Sequence, residues 1–169
     1  MKTKLLYVIS MFTLILFSGC DNDNEDVLIW DICPVVYTIQ IMDHNGNDLL
    51  NPATPNSLDY TTIKAIYKDN NYQCKEEDSG KTKAYMPRFY GLIRSKNQNA
   101  GPYLLKFGEL EGSTSYKDEV LTLVYEDGSS DIISFNRDFR WDKKGNPDVK
   151  EQWFLNGKQV ERGTITITK

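Results

Sequence analysis

Apolar and polar residues alternate with period two through most of the chain beyond residue 34. In Val35–Met42, the side chains of Val35, Tyr37, Ile39 and Ile41 fall on one face and those of Thr38 and Gln40 on the other. That is the mark of a strand buried on one side. Asp43-His44-Asn45-Gly46-Asn47-Asp48 follows with turn chemistry, since Asn-Gly tolerates positive φ. Leu49 and Leu50 resume the apolar pattern, and Pro52 and Pro55 break it. Residues 61–67 alternate again, with Ile63, Ala65 and Tyr67 together, and Asp69-Asn70-Asn71 is placed to turn the chain back toward Tyr72 and Cys74. Residues 75–83 read as an exposed loop and 85–93 as an aromatic-rich strand. Residues 95–102 read as a polar loop, and Tyr103–Leu110 as a strand bulged at Gly108.

The strongest hairpin signal comes later. Residues 120–125 and 131–135 are rich in β-branched and apolar residues and flank Glu126-Asp127-Gly128-Ser129. Residues 151–155 and 159–160 flank Asn156-Gly157 in the same way. Residues 140–148 read as a loop. Thr164–Thr168 is a strict alternation, and its composition places it inside a sheet, because an exposed edge of that kind invites aggregation. No amphipathic helix of twelve or more residues is visible. Eight to ten short strands separated by turns predict an all-β fold, an antiparallel β-sandwich of immunoglobulin-like or similar type, with a small β-barrel as the alternative.

Composition narrows the function classes. The 169 residues are 40% hydrophobic and 26% charged, which excludes a disordered or multi-span membrane chain. A net charge of −4 argues against nucleic acid as a partner. A single histidine, His44, excludes multi-histidine metal sites within one chain.

The first residues carry an address. Lys2 and Lys4 precede an apolar run over residues 5–17, and Ser18, Gly19 and Cys20 follow. A charged start, a short apolar segment and small residues at its exit describe a secretory signal. Phe17-Ser18-Gly19-Cys20 resembles a bacterial lipobox, with Phe17 where leucine is usual. The acidic stretch Asp21-Asn22-Asp23-Asn24-Glu25-Asp26 resembles the export tag of Bacteroidetes surface lipoproteins. The remainder is similar in style to small secreted lipoproteins of gut Bacteroidetes that have no assigned activity. The resemblance implies cleavage before Cys20, acylation of Cys20, and an outer-membrane location exposed at the cell surface, with a periplasm-facing location as the alternative. The implied division is a signal peptide at 1–19, a tether at 20–26 and one all-β domain at 27–169. The lipid anchor would be the only contact with the membrane. Two or more acyl chains suffice for stable anchoring without a spanning helix.

With Cys20 acylated, Cys33 and Cys74 remain, and outside the cytoplasm they admit one disulfide. It would close a loop of about 40 residues and contribute about 4 kcal/mol in the chain-entropy picture. Two separate buried thiols are the other reading. His44 reads as an exposed turn residue. Asp43, Asn45 and Asn47 alternate as calcium ligands do, but Asp48 and Thr54 stand where a calcium loop requires glycine and glutamate. No metal or cofactor is expected. The acidic residues Glu76, Glu77, Asp78, Glu109, Glu111, Asp118, Glu119, Glu126 and Asp127 fall in or beside turns, as on any soluble surface.

The aromatic residues are the least ordinary feature. Trp153 lies in an alternating strand and reads as core; Trp30 lies near the tether. Trp141, between charges, reads as a plug over the end of the core, with an exposed ligand-stacking platform as the alternative. Tyr85, Phe89, Tyr90 and Tyr103 share that ambiguity. No assembled catalytic motif is present. Three functions follow in order: a non-catalytic surface-tethered binding module for a glycan, a peptide or an outer-membrane protein; an accessory subunit of a fimbrial or nutrient-uptake assembly; and a small polysaccharide hydrolase.

Overall fold

Alternation becomes strands where it is strict. In the computed structural model, which describes residues 30–77, 89–96 and 101–169, Val35–Met42 is β1 and buries the four side chains expected. The further strands are β2 (Lys64–Tyr67), β3 (Asn70–Gln73), β4 (Lys75–Glu76), β5 (Tyr90–Lys96), β6 (Tyr103–Leu110), β7 (Tyr116–Val124), β8 (Ser130–Trp141), β9 (Pro147–Leu155), β10 (Lys158–Val160) and β11 (Thr164–Thr168). They form two sheets, β11-β1-β6-β5-β4 and β10-β9-β8-β7-β2-β3, packed as a sandwich and not closed into a barrel. Contacts divide the chain into Met1–Trp30 and Asp31–Lys169, and the sandwich is the second unit. The expected signal peptide (1–19), Cys20, the expected tether with the domain start up to residue 29, Asp78 and Tyr85 lie outside the described residues.

Turn chemistry sets most reversals. Residues 43–47, 125–129 and 142–146 close identical five-residue loops. In each, the first N–H donates to the fifth carbonyl (2.9, 3.0 and 2.8 Å), and the glycine N–H donates to the first carbonyl (3.0, 3.1 and 3.2 Å). The glycines sit at φ 83°, 80° and 78°, a region that costs a side chain energy. In the two loops that begin with aspartate, one carboxylate also accepts from the third and fifth N–H groups and from the asparagine amide. The alternating Asp43, Asn45 and Asn47 are therefore a hairpin device, with the carboxylate already occupied by N–H donors.

Several expectations need correction. Residues 140–148 are not a loop: β8 runs on to Trp141 and pairs with β9 down to Pro147, leaving only 142–146 as the turn. The β2–β3 turn is Lys68-Asp69, at φ 48° and 62°, one step earlier than expected. Tyr60–Thr62 is a 3₁₀ turn, capped by the Asp59 carboxylate accepting from the Thr61 N–H at 2.9 Å. Lys75 and Glu76 are not loop but pair parallel with β5. β11 is not internal: it is an edge strand, parallel to β1. Gly108 is a bulge as expected, at φ 93°, where the β1–β6 register slips.

Tyr37 joins the two sheets. It rises from β1 and meets Phe107 of β6 edge-on at 5.9 Å, and Phe135 of β8 and Trp153 of β9 edge-on at 5.5 Å each. Phe135 and Trp153 stack at 4.6 Å. Edge-to-face contacts of this kind add about 0.5–1.5 kcal/mol each to area burial. The Tyr37 ring is fully buried, and its hydroxyl has no hydrogen-bond partner among the described residues. Burial pushes its pKa far above that of an ordinary tyrosine. An unpartnered buried hydroxyl costs about 1–3 kcal/mol. Tyr37→Phe is therefore expected to leave stability unchanged or raise it by about 1 kcal/mol, whereas Tyr37→Ala loses about 3–5 kcal/mol. Urea denaturation of the two variants measures both effects.

Candidate functional site

The inward positions of β8 are Asp131, Ile133, Phe135, Arg137, Phe139 and Trp141. The apolar core ends at Phe135, opposite Trp153. The strand continues, so its next inward residue needs another kind of partner. Arg137 faces Glu151 directly across β9 and forms an ion pair with it, the side chains 4% and 5% exposed. Arg137 Nη2 also donates to the Gly112 carbonyl. Glu151 accepts from Trp153 Nε1 at 3.2 Å and pairs with Arg162 at 3.0 Å. The loop that brings Gly112 here admits no larger residue, because a Cβ would collide with the Cys33 carbonyl.

Beyond this cluster the hairpin projects past the core. The Phe139 ring lies 5.9 Å from the Arg137 guanidinium, and Trp141 meets Phe139 edge-on at 5.4 Å and 88°. Trp141 is 52% exposed. The plug reading is therefore corrected: the ring stands at an inward position of β8 beyond its buried residues, and half of it lies in water. On the other face, Arg140 pairs with Asp148 at 2.9 Å, and along the edge of β8 toward β7, Ser115 Oγ accepts from the Phe139 N–H at 2.9 Å. A cleft of about 250 Å³ beside this cluster is lined by Pro34, Val36, Glu151, Trp153, Arg162 and Thr164.

The opposite end holds a second cleft, of about 370 Å³, between the 3₁₀ turn and the 125–129 loop. Lys169 Nζ pairs there with Asp131 at 2.7 Å and lies 3.8 Å from the Tyr125 ring centre. Burial raises the Asp131 pKa, but the Lys169 ammonium and the hydrogen bond donated by the Asn156 amide outweigh it and hold the carboxyl below its usual range.

Cys33 and Cys74 are not brought together. Both are free thiols, Cys33 exposed and Cys74 buried. Cys74 immediately precedes β4, and β5 and β6 separate β4 from β1. Three strand spacings amount to about 14 Å, and a disulfide needs Cα atoms within about 7 Å. Burial pushes the Cys74 thiol up to about 12.

His44 is exposed in its turn. Trp153 is core, as expected, and Trp30 is exposed. Glu119, which was read only as a turn residue, points inward after a bulge at Asp118 (φ 51°). It accepts from the Tyr67 hydroxyl at 2.7 Å and pairs with Lys68 at 3.1 Å. The Arg137–Glu151–Arg162 cluster was missed. Its signal was parity: Arg137 shares a face with Ile133 and Phe135, and Glu151 shares one with Trp153.

On the outer face of the six-stranded sheet, Ile66 and Ile132 flank Thr122 in one row, with Val120 beside them. All three apolar side chains are exposed. Comparisons with protein-family models, curated proteins and solved structures find no match.

Glu151→Ala would leave the Arg137 charge buried without its partner, and such a loss costs about 3–5 kcal/mol. Arg140→Ala breaks an exposed pair and is expected to stay within about 0.5 kcal/mol. Denaturation midpoints of the two variants check the contrast.

Proposed function

We propose that this chain is a lipoprotein of the outer membrane, exposed at the cell surface and held by acyl chains on Cys20, and that its sandwich is a non-catalytic binding module for a glycan. The lipobox-like Phe17–Cys20 segment and the acidic stretch after it support the anchor. The observation that carries the binding reading is Trp141, half in water on a paired strand with Phe139 edge-on behind it. A flat aromatic face held in this way suits stacking against a sugar ring at little conformational cost. The non-catalytic reading draws support from the buried glutamates. Glu151 is held by Arg137 and Arg162, and Glu119 by Lys68 and the Tyr67 hydroxyl.

A second reading, an accessory subunit of a surface assembly, draws on the exposed patch of Ile66, Val120 and Ile132. Apolar residues grouped on one sheet face fit a protein partner.

Mass spectrometry of the native protein is expected to find an acylated peptide beginning at Cys20. On a panel of immobilised polysaccharides, Trp141→Ala should lose about tenfold or more in affinity, a change of about 1.4 kcal/mol, with no change in melting temperature. An intact Met1 with a free thiol at position 20 retires the anchor. Equal binding by the Trp141→Ala variant retires the glycan site. Co-purification of a partner that is lost with Ile132→Lys and kept with Trp141→Ala selects the second reading.

A further inference from the structure

The five-stranded sheet ends on β11, and among the described residues nothing pairs with its outer side. One hydrogen bond shows which backbone groups are left over. The Lys169 N–H donates to the Met42 carbonyl of β1 at 2.9 Å. Along an extended strand, successive residues turn their N–H and C=O groups to opposite sides. Ile165 and Ile167 therefore share the side of Lys169, toward β1. The N–H and C=O groups of Thr164, Thr166 and Thr168 face away from the sheet. The three threonine side chains are exposed on the outer face, while Ile165 and Ile167 are buried against the core.

Edge strands are normally kept short or guarded by charges, prolines or bulges. The other edges obey this rule: β4 has 2 residues, β10 has 3 and β3 has 4. β11 has 5 residues and carries no charge, proline or bulge. The cations that flank it are drawn into ion pairs, Arg162 with Glu151 at 3.0 Å and Lys169 with Asp131 at 2.7 Å.

The strand also reads the same in both directions: Thr-Ile-Thr-Ile-Thr. An antiparallel copy centred on Thr166 sets Thr166 against its own counterpart, Thr164 against Thr168, and Ile165 against Ile167. Threonine then continues the outer face and isoleucine the inner one, with no register penalty. Cross-strand threonine pairs are favourable. The hydrogen-bonded positions in this register are those of the three threonines, whose backbone groups are the unpaired ones. A two-fold contact uses the same patch on both copies and closes at two.

We propose that β11 is a self-association edge: two copies of this chain pair antiparallel through Thr164–Thr168 and join their five-stranded sheets into one. A contact between two such strands is smaller than a standard interface of roughly 1,600 Å². The association is therefore reversible and concentration-dependent.

Disulfide trapping in the full chain tests the register, with Cys33→Ser removing the exposed thiol. Directly opposed residues in a hydrogen-bonded pair have Cα atoms about 5.5 Å apart, within the range a disulfide accepts. Under mild oxidation Thr166→Cys is expected to yield a dimer whose tryptic map joins peptide 163–169 to itself. Thr164→Cys and Thr168→Cys alone should each give less than a tenth of that yield, and their equimolar mixture should restore it. In sedimentation velocity the unmodified chain should shift from monomer to dimer with concentration. Thr166→Lys should stay monomeric at an unchanged melting temperature. Equal trapping at all three positions overturns the proposal, as does a dimer that persists in Thr166→Lys. A chain that remains monomeric from micromolar to millimolar concentration also overturns it.

Discussion

A charge that points into a sandwich must find its counter-charge there, and the Arg137–Glu151 pair meets that demand where the core stops. Without Glu151, the inward Arg137 beyond Phe135 would be an unpaired buried ion. With the pair formed, the guanidinium satisfies Glu151 and the Gly112 carbonyl at once. The β8–β9 hairpin then continues past the buried stretch of β8. A well-packed apolar pair of similar volume would be as stable or more so, so the ion pair is better explained by register than by stability. Arg137 and Glu151 stand directly opposite each other, and a slip of one residue would turn one charge outward and leave the other buried without its partner.

The same device recurs around the core. Arg94 on β5 lies between the rings of Tyr60 and Tyr103, 3.7 and 4.7 Å from their centres, and donates to Glu76 at 2.9 and 2.7 Å and to the Leu50 carbonyl at 3.1 Å. It thereby ties β5 and β4 to the 3₁₀ turn and to a loop whose Leu49 and Leu50 are buried without forming a strand. Glu119 plays the reciprocal part on β7 with Lys68 and Tyr67. Apolar packing, centred on Tyr37, supplies the bulk of cohesion, and inward charges at its margin decide where each strand ends its contribution.

That division explains what could be read from the residues in advance. β1, β6, the hairpin at Asp127-Gly128 and the hairpin at Asn156-Gly157 were legible because apolar alternation and turn chemistry agree there. The distal half of β8 was not, since Arg137 at an inward position interrupts the apolar count while preserving the parity. Asp142-Lys143-Lys144-Gly145-Asn146 repeats the turn chemistry of residues 43–47 and could have been recognised by that comparison. The edge position of β11 is of another kind. Composition states what a strand is made of, but its neighbours are set by contacts distant in sequence, and Thr38 and Thr164 meet across most of the chain. The separation of Cys33 from Cys74 was hidden for the same reason.

The exposure of Trp141, on which the proposed binding role rests, follows from the same geometry. Trp153, on β9 beside Phe135, has a second sheet above it and is buried. Trp141 occupies an inward position too, but six residues beyond Phe135 and past the buried stretch of β8. Its exposure is therefore built by strand length and does not arise from a loose loop. Both neighbours of the hairpin turn are paired strand residues, Trp141 with Pro147 and Arg140 with Asp148. The ring is presented with its backbone already ordered, so a ligand that stacks on it meets little further ordering cost. An aromatic residue on a flexible loop of the same composition would lose that entropy on binding, and this difference is what favours the hairpin tip as the contact surface of the proposed module.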